Sequence, residues 1–582
     1  MAPPNPVRVL VLDADMVPAL TIVRSLLRRK CHVEIASHAA HPLARYSRGV
    51  RASYRYPDPL ANAQSFLDWL VEHALANHYD LVIPVTERSL SPLSAYREQL
   101  AGVKVAMPSA RSLELVLDKS QTLSLAASLG VPVPGGITVN SQEEVFEHRD
   151  TLRYPVVLKP ARSIGTREGG GASHLQVSYA YDRVGLVAGC NHALRFGPVL
   201  LQEYFRGDGV GVELIAKAGE IVYAFQHRRL HEVPLTGGGS SLRISEPVNP
   251  QLLEASRLLI SALQWNGVAM VEFKLDRDSG EFCLMEINGR FWGSLPLAAA
   301  AGADFPAMLL DLELEGSVTE SQPYRSGVYC RLLSRDLMWY ESVLRGATDD
   351  RIVQLPSRWE VFKGLSLLLH PAHRFDVQSL TDPRPGLVDL GRICDRYYQR
   401  LRGLLRDKWF LRGQKSAWRR GVVHAAIAEA NSMLFLCYGN INRSALADAL
   451  LSGYAADVGV TVRSAGFHPQ EGREADPVMI RIAAEAGVDM RELRSSVVSA
   501  ELLQSSDIIF VMEKQHYDRL VHQSPGVAGR VFLLGAHQGS REQSAEIDDP
   551  FGLAPDDYHA CYVRIAEAID HIKAIVAVRS AE

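Results

Sequence analysis

The segment Cys437-Tyr-Gly-Asn-Ile-Asn-Arg443-Ser444 combines a nucleophilic sulfur, a tight five-residue loop and an arginine. It follows the apolar run Met433–Leu436 and precedes Ala445–Leu451, whose pattern predicts a helix. At a strand-to-helix junction the loop N–H groups and the helix N-terminus face outward, which suits a phosphate dianion. Arg443 adds a bidentate pair of charge-assisted hydrogen bonds. The same positive field favours thiolate over thiol at Cys437, and the thiolate is the attacking species. Taken alone, a Cys-x5-Arg match also fits a buried cysteine in an ordinary βα turn.

A second set of residues, singled out by a family resemblance and not by spacing alone, has chemistry that suits a nucleotide. Lys119 starts a helix-like segment, and Lys159 ends the strand-like run Pro155–Lys159 ahead of a glycine-rich loop, Gly165–Gly171. Two lysines from separate elements neutralise phosphates as point charges. Gly165, Gly169 and Gly170 let backbone N–H groups approach those phosphates closely. Glu272, Glu286 and Asn288 offer hard oxygen ligands for Mg²⁺, or for Mn²⁺. Strand alternation turns Glu286 and Asn288 to one face of a sheet. Arg290 follows at the strand end, placed to hold a transferring phosphoryl group.

The elements that must carry these side chains are legible in outline. Val7–Leu12, His32–Ile35, Leu81–Pro84 and Val103–Ala106 read as strands, with a helix over Val17–Arg29, which predicts a parallel α/β layer. No Gly-x-Gly-x-x-Gly follows the first strand, so no dinucleotide site is predicted. One helix is expected over Leu113–Leu129, stopped by Gly130-Val-Pro-Val-Pro134. Strands are then expected at Val199–Tyr204, Val210–Ala216, Ile221–His227, Gly267–Leu275 and Glu281–Ile287. Residues 326–430 form an accessory region ending in a basic stretch with aromatics. Two readings of 395–420 stay open: peripheral contact with an anionic membrane or phosphotyrosine tail, or a solvated linker helix packing its aromatics on a neighbouring domain.

Composition narrows the class. With 582 residues, 47% hydrophobic and 22% charged, the chain is an ordinary multidomain globular one. A net charge of −4 gives no general reason for nucleic-acid binding. No apolar run approaches a membrane span. Met1–Pro6 leads into a strand with no signal-like core, and seven cysteines lie without paired spacing, so a cytoplasmic, reduced protein is expected.

Residues 112–325 resemble the ATP-grasp superfamily, and residues 1–111 resemble its N-terminal domain. The likeness rests on Lys119, Lys159, the strand end Gln202-Glu203-Tyr204, Val271-Glu272-Phe273 and Met285-Glu286-Ile-Asn288-Gly-Arg290, in that order. It implies ATP as cosubstrate, adenine contact at Glu203, and activation of a carboxylate as an acyl phosphate that an amine or other nucleophile opens. Gly289 stands where the family usually has proline, and Asp208 and Glu213 both lie near the ribose position. The stretch His227–Glu232 with Gly237–Ser241 and Arg243 is similar to carboxylate–amine ligase-like members, where it lines the acceptor side.

Residues 431–582 resemble the low-molecular-weight protein-tyrosine phosphatases. Beyond the cysteine loop the matches are Arg463-Ser-Ala-Gly466, Ala475-Asp-Pro477, Arg494-Ser495, Asp507–Met512 and Ile547-Asp-Asp549-Pro-Phe-Gly552. The likeness implies a phosphocysteine on Cys437, with Ser444 hydrogen-bonded to the thiolate, Asn440 bracing the loop and Asp549 as general acid, then base. Asn442 replaces the second cysteine of many members, Leu493 a histidine and Phe551 a tyrosine, and Gln470 is expected at an often aromatic rim. Arsenate reduction on this fold needs relay cysteines, and none lies between Cys437 and Cys561.

The predicted class is therefore α/β and α+β multidomain: an ATP-grasp fold with an N-terminal parallel α/β domain, then a flavodoxin-like parallel α/β phosphatase domain. The expected function is bifunctional, an ATP-dependent ligase for a small carboxylate and amine plus a phosphatase for phosphotyrosine protein or a small phosphate ester. Two alternatives are a regulatory phosphatase whose ATP-grasp part only binds nucleotide, and a single pathway enzyme that ligates and then dephosphorylates one molecule.

Overall fold

Short apolar runs separated by amphipathic helices favour a parallel sheet covered on both faces. The computed structural model describes residues 6–581 apart from 163, 167–171, 176, 319–322, 347–351, 354 and 538–543, and no side chains at 164–166, 172–174 and 579–581. Its chain divides into two units, Met1–Cys394 and Asp395–Glu582.

In the first unit, Arg8–Val11 pairs in parallel with His32–Ser37 and Leu81–Ile83, and Ser53–Arg55 completes the layer. The strand expected at Val103–Ala106 is reduced to one bridge between Val82 and Val105. The single helix expected over 113–129 is two, Ala110–Leu117 and Lys119–Ser128. Asp118 breaks it: its carboxylate accepts from the N–H groups of Ser120 and Gln121 at 3.0 and 3.2 Å, a capping bond that restarts the helix. Lys119 thereby becomes the first residue of the second helix.

Two more sheets follow, antiparallel throughout except for the last pair of strands in the larger. Strands Gly136–Val139, Val199–Glu203, Val156–Pro160 and Ser178–Ala180 form the smaller, in that spatial order. The larger runs Phe282–Asn288, Gly267–Leu275, Asp208–Lys217, Glu220–Val233, Gly239–Glu246, Tyr329–Arg331 and His373–Phe375. Its last two strands lie beyond residue 325, within the expected accessory region. Tyr329–Arg331 and His373–Phe375 complete the sheet, because Leu242 to Ile244 pair with Tyr329 to Arg331. Buried pairs lock the addition: Arg243 with Asp376, and Arg331 with Asp336.

In the second unit four parallel strands run Thr461–Gly466, Ser432–Cys437, Ile508–Val511 and Val531–Leu533. Trp418, Val423 and Ile427 are buried in this unit's core, and the Trp418 indole donates to the Leu533 carbonyl at 3.1 Å. The basic stretch lies in one helix, Pro383–Arg419. Phe410 packs on Tyr517, as a linker helix would, whereas Tyr398, Leu401, Leu404, Leu405 and Trp409 are exposed among arginines. Among the described residues no single helix is long and apolar enough to cross a membrane.

Candidate active sites

In the second unit Cys437 closes a central strand and Arg443 opens helix Arg443–Asp457. The sulfur is buried, 2% exposed, at the floor of the loop between them. The Asn440 N–H donates to it at 3.1 Å, and the Ser444 hydroxyl lies 3.0 Å away. Asn440 takes a positive φ of 52° that turns its N–H inward. Its side chain is held on both sides, donating to Ser444 Oγ at 2.9 Å and accepting from the Ser496 N–H at 2.8 Å. Two more braces were not visible in the sequence. Arg473 donates to the Gly439 carbonyl, and the Asp476 N–H donates to the Ile441 carbonyl at 3.0 Å. Gly466 has a steric reason: a Cβ there would stand 2.7 Å from the Tyr438 carbonyl oxygen. The side chain of Asn442, at the position of the missing second cysteine, is buried and unbonded.

Arg443 connects this loop to the acid. Its guanidinium donates to Asp549 at 2.6 Å, to the Ile547 carbonyl at 2.8 Å, and to Glu513. Burial opposes the charge, but Cys437, Asp549 and Glu513 together hold the arginine above its ordinary pKa. Its buried Nε makes no hydrogen bond and remains able to donate to an oxyanion. Burial acts on the Glu513 carboxyl in the opposite sense, yet Arg443 keeps it below the usual range. No feature of Glu513-Lys-Gln in the sequence marks this role. The unit's other cysteine, Cys561, is buried and its thiol is pushed up to about 12, so it stays protonated. Tyr438 and Phe551 are the exposed aromatics beside the loop and the acid in sequence.

In the first unit the nucleotide-type residues meet in one cleft of about 630 Å³. Lys119, Lys159, Glu203, Glu272, Glu286, Asn288 and Arg290 all line it. Gly165 sits in a hairpin of Ile164–Thr166 with Ala172–His174, while Gly169 and Gly170 lie outside the described residues. Strand pairing sets Glu272 opposite Glu286. Asn288 donates to Glu286 at 3.2 Å, and Lys119 lies 3.8 Å from the same carboxylate. Burial opposes ionisation of Glu286, but Lys119 and Lys159 hold its pKa down. Lys159 is 9% exposed. Burial depresses its ammonium, only partly offset by Glu286 and Glu272. Among the described residues no carboxylate lies within ion-pair distance of it, so a buried cation faces the cleft with only partial compensation from Glu286 and Glu272.

Glu203 ends its strand with its N–H donated to the Gly135 carbonyl at 2.7 Å. With Tyr204 and Phe205 it also walls an adjoining slot of about 540 Å³ against Pro132–Gly135 and Ser279–Cys283. Glu213, one candidate for ribose, is fully buried against His227 at 2.6 Å and cannot reach a ligand; Asp208 pairs with Arg228 at 3.3 Å. The acceptor-side stretch splits. Arg229, Glu232 and Gly237–Gly239 line the cleft, whereas His227, His231 and Arg243 are buried away from it. Arg229 meets Glu272 at 2.5 Å and Glu232 at 3.1 Å. Asp13, Asp15, Glu87 and Arg88 reach the cleft from the first layer, unannounced by any sequence pattern, and Glu87 holds Arg290 at 3.2 Å.

Glu272, Glu286 and Asn288 fit Mg²⁺ only jointly with phosphate. Among the described residues no three His, Cys, Asp or Glu side chains are grouped to hold a metal unaided. Mg²⁺ characteristically takes one or two carboxylates plus substrate phosphates and water.

Two family models match the chain. Residues 432–579 match "Low molecular weight phosphotyrosine protein phosphatase", and residues 195–335 match "ATP-grasp in the biosynthetic pathway with Ter operon". The low-molecular-weight protein-tyrosine-phosphatase Wzb of Escherichia coli (strain K12) is 34% identical over 132 residues, 23% of this chain and 86% of that protein. The probable low-molecular-weight protein-tyrosine-phosphatase AmsI of Erwinia amylovora is 35% identical over 132 residues, 23% of this chain and 88% of that one. The carbamoyl phosphate synthase large chain of Acidobacterium capsulatum is 26% identical over 243 residues, 40% of this chain but only 21% of that much longer protein.

Proposed function

Because this chain belongs, through residues 432–579, to the low-molecular-weight protein-tyrosine phosphatases and carries an ATP-grasp ligase domain ahead of them, we propose a two-reaction enzyme whose sites act as follows. In the phosphatase unit the Cys437 thiolate attacks phosphorus, and the P–S bond forms as the ester P–O bond breaks. The loop amides and Arg443 hold the equatorial oxygens. Asp549, kept at hand by Arg443, protonates the departing oxygen, then takes a proton from the water that cleaves the phosphocysteine. The Ser444 hydroxyl stabilises the sulfur anion as it is regenerated. The hydrogen-bonded series from Asn440 through Ser444 to Cys437 supports this reading most directly.

In the ligase unit Lys159 and Lys119 bind ATP phosphates. Glu272, Glu286 and Asn288 would hold a divalent cation, which would supply charge neutralisation for the phosphates. A substrate carboxylate attacks the γ-phosphorus, with Arg290 beside the transferring group, and ADP departs. An amine then attacks the acyl carbon, expelling phosphate and losing a proton, so that a carbon–nitrogen bond forms. The gathering of Glu272, Glu286, Asn288 and Arg290 in one cleft favours turnover over nucleotide binding alone. ATP use and seven unpaired cysteines support a cytoplasmic place of action. The test is ADP release from Mg·ATP against a library of carboxylates and amines, with mass analysis of products. Release without a coupled product, or no release with any pair, would sink the ligation half.

A further inference from the structure

Every cation that lines the ligase cleft is paired with an acid, save two. Arg88 meets Asp58 at 3.0 Å, Lys119 meets Glu286 at 3.8 Å and Arg229 meets Glu272 at 2.5 Å. Lys274 meets Glu232 at 3.4 Å and Arg290 meets Glu87 at 3.2 Å. Lys159 and Arg335 have no such partner among the described residues. Lys159 is accounted for by nucleotide phosphate. Arg335 is not: it comes from helix Leu333–Arg345, which follows the sixth strand of the large sheet and carries none of the nucleotide residues.

The wall around Arg335 is built for it. Its guanidinium lies against Gly239, where a Cβ would stand 1.8 Å from Nη1, so a larger residue would displace the guanidinium from this position. Gly238 is held by backbone instead, since a Cβ there would lie 2.4 Å from the Val233 carbonyl oxygen. Gly237 has a φ of +117°, and the loop is tied by the Tyr179 hydroxyl donating to the Thr236 carbonyl at 2.6 Å. Arg335 is exposed at the cleft wall, Arg243 and Arg229 disfavour its charge, and no carboxylate among the described residues relieves it. A guanidinium open to the cleft without an acid beside it is free to take a ligand oxyanion in a charge-assisted hydrogen bond.

We propose that Arg335, with the backbone of Gly237–Gly239, is an oxyanion subsite for the ligase's non-nucleotide substrate, and that this substrate carries a carboxylate or phosphate group besides the groups that react. The inference rests on the ligase reading and narrows it to acidic substrates. Arg335 is a specificity-determining residue, outside the phosphate and metal set.

The test uses the full chain saturated with Mg²⁺ and β,γ-imido-ATP, titrated calorimetrically with malonate and, separately, with inorganic phosphate. The phosphatase loop's own phosphate site is common to all variants and cancels in the comparison. One of the two anions should bind the wild type, and Arg335→Met should weaken it by about ten-fold or more, with Arg335→Lys between them. Analogue affinity should be unchanged in both variants. Malonate binding points to a second carboxylate, and phosphate binding at this site to a phosphorylated substrate. Equal anion affinity in wild type and Arg335→Met overturns the proposal, as does absence of wild-type anion binding into the tens-of-millimolar range. So does a matching loss of analogue affinity, which would assign Arg335 to the nucleotide. Failure of the analogue to bind the wild type would overturn the ligase reading itself.

Discussion

The phosphatase site and the ligase cleft both steady phosphate charge, yet they are assembled in opposite ways. Cys437, Asn440, Arg443 and Ser444 lie within eight residues, and one short loop turns the Asn440 N–H and the Ser444 hydroxyl onto one sulfur. The cleft draws on side chains from Asp13 to Arg335, carried by a parallel layer, two mainly antiparallel sheets and several loops. A site made by one loop survives or fails with that loop. A site made by sheet packing tolerates local change but depends on charges balanced across the chain. Carboxylates accordingly pair most cations in the cleft, whereas the phosphatase loop sets one guanidinium between Asp549 and Glu513.

Substitutions should separate the two. Cys437→Ser should lower hydrolysis of an aryl phosphate by ~10³-fold or more, since a hydroxyl is a far weaker nucleophile than the thiolate it replaces, and leave Mg·ATP affinity intact. A fall in both would mean the sites are not independent. Asp549→Asn should reduce kcat by roughly 10²- to 10³-fold for alkyl phosphates and much less for nitrophenyl phosphate, whose leaving group needs no proton. Equal losses on both esters would remove Asp549 from the acid's role. Lys159→Met should weaken ATP binding by about 10- to 100-fold through loss of a buried phosphate contact, measured by calorimetry, with phosphatase kcat/KM unaltered.

The smallest effect concerns Glu513. Its folded-state pKa is lowered by Arg443 against the opposing effect of burial. The pair therefore contributes stability that is fully present above the unfolded carboxyl pKa and is lost as pH falls through the folded value. Glu513→Gln should cost about 1 kcal/mol at pH 7 and flatten the acid side of the stability–pH curve. A variant curve parallel to the wild type between neutral and acid pH would contradict the pairing.

Local chemistry was legible because it is written in adjacent residues: a sulfur, a loop and an arginine at a strand end, and Glu286-Ile-Asn288 on alternate strand positions. The strand Gly267–Leu275 falls where its apolar pattern predicts. Asp118 was misread for a converse reason: a capping carboxylate outweighs the helical periodicity on either side of it. Which residues of His227–Arg243 face the cleft was settled by irregular pairing at Arg229, His231 and Glu232, which shifts the register that simple alternation assumes.

The amino-acid order alone determined the two chemistries, because thiolate, guanidinium and carboxylate identities and their near-neighbour spacing are covalent facts. Tertiary structure decided the rest: that Tyr329–Arg331 and His373–Phe375 complete the large sheet, that Glu513 and Arg473 serve the cysteine loop, and that Arg335 lines the cleft with no acid beside it among the described residues. Those outcomes depend on which side chains approach across long stretches of chain. Such approach is fixed by sheet pairing and burial, which no short window of sequence contains.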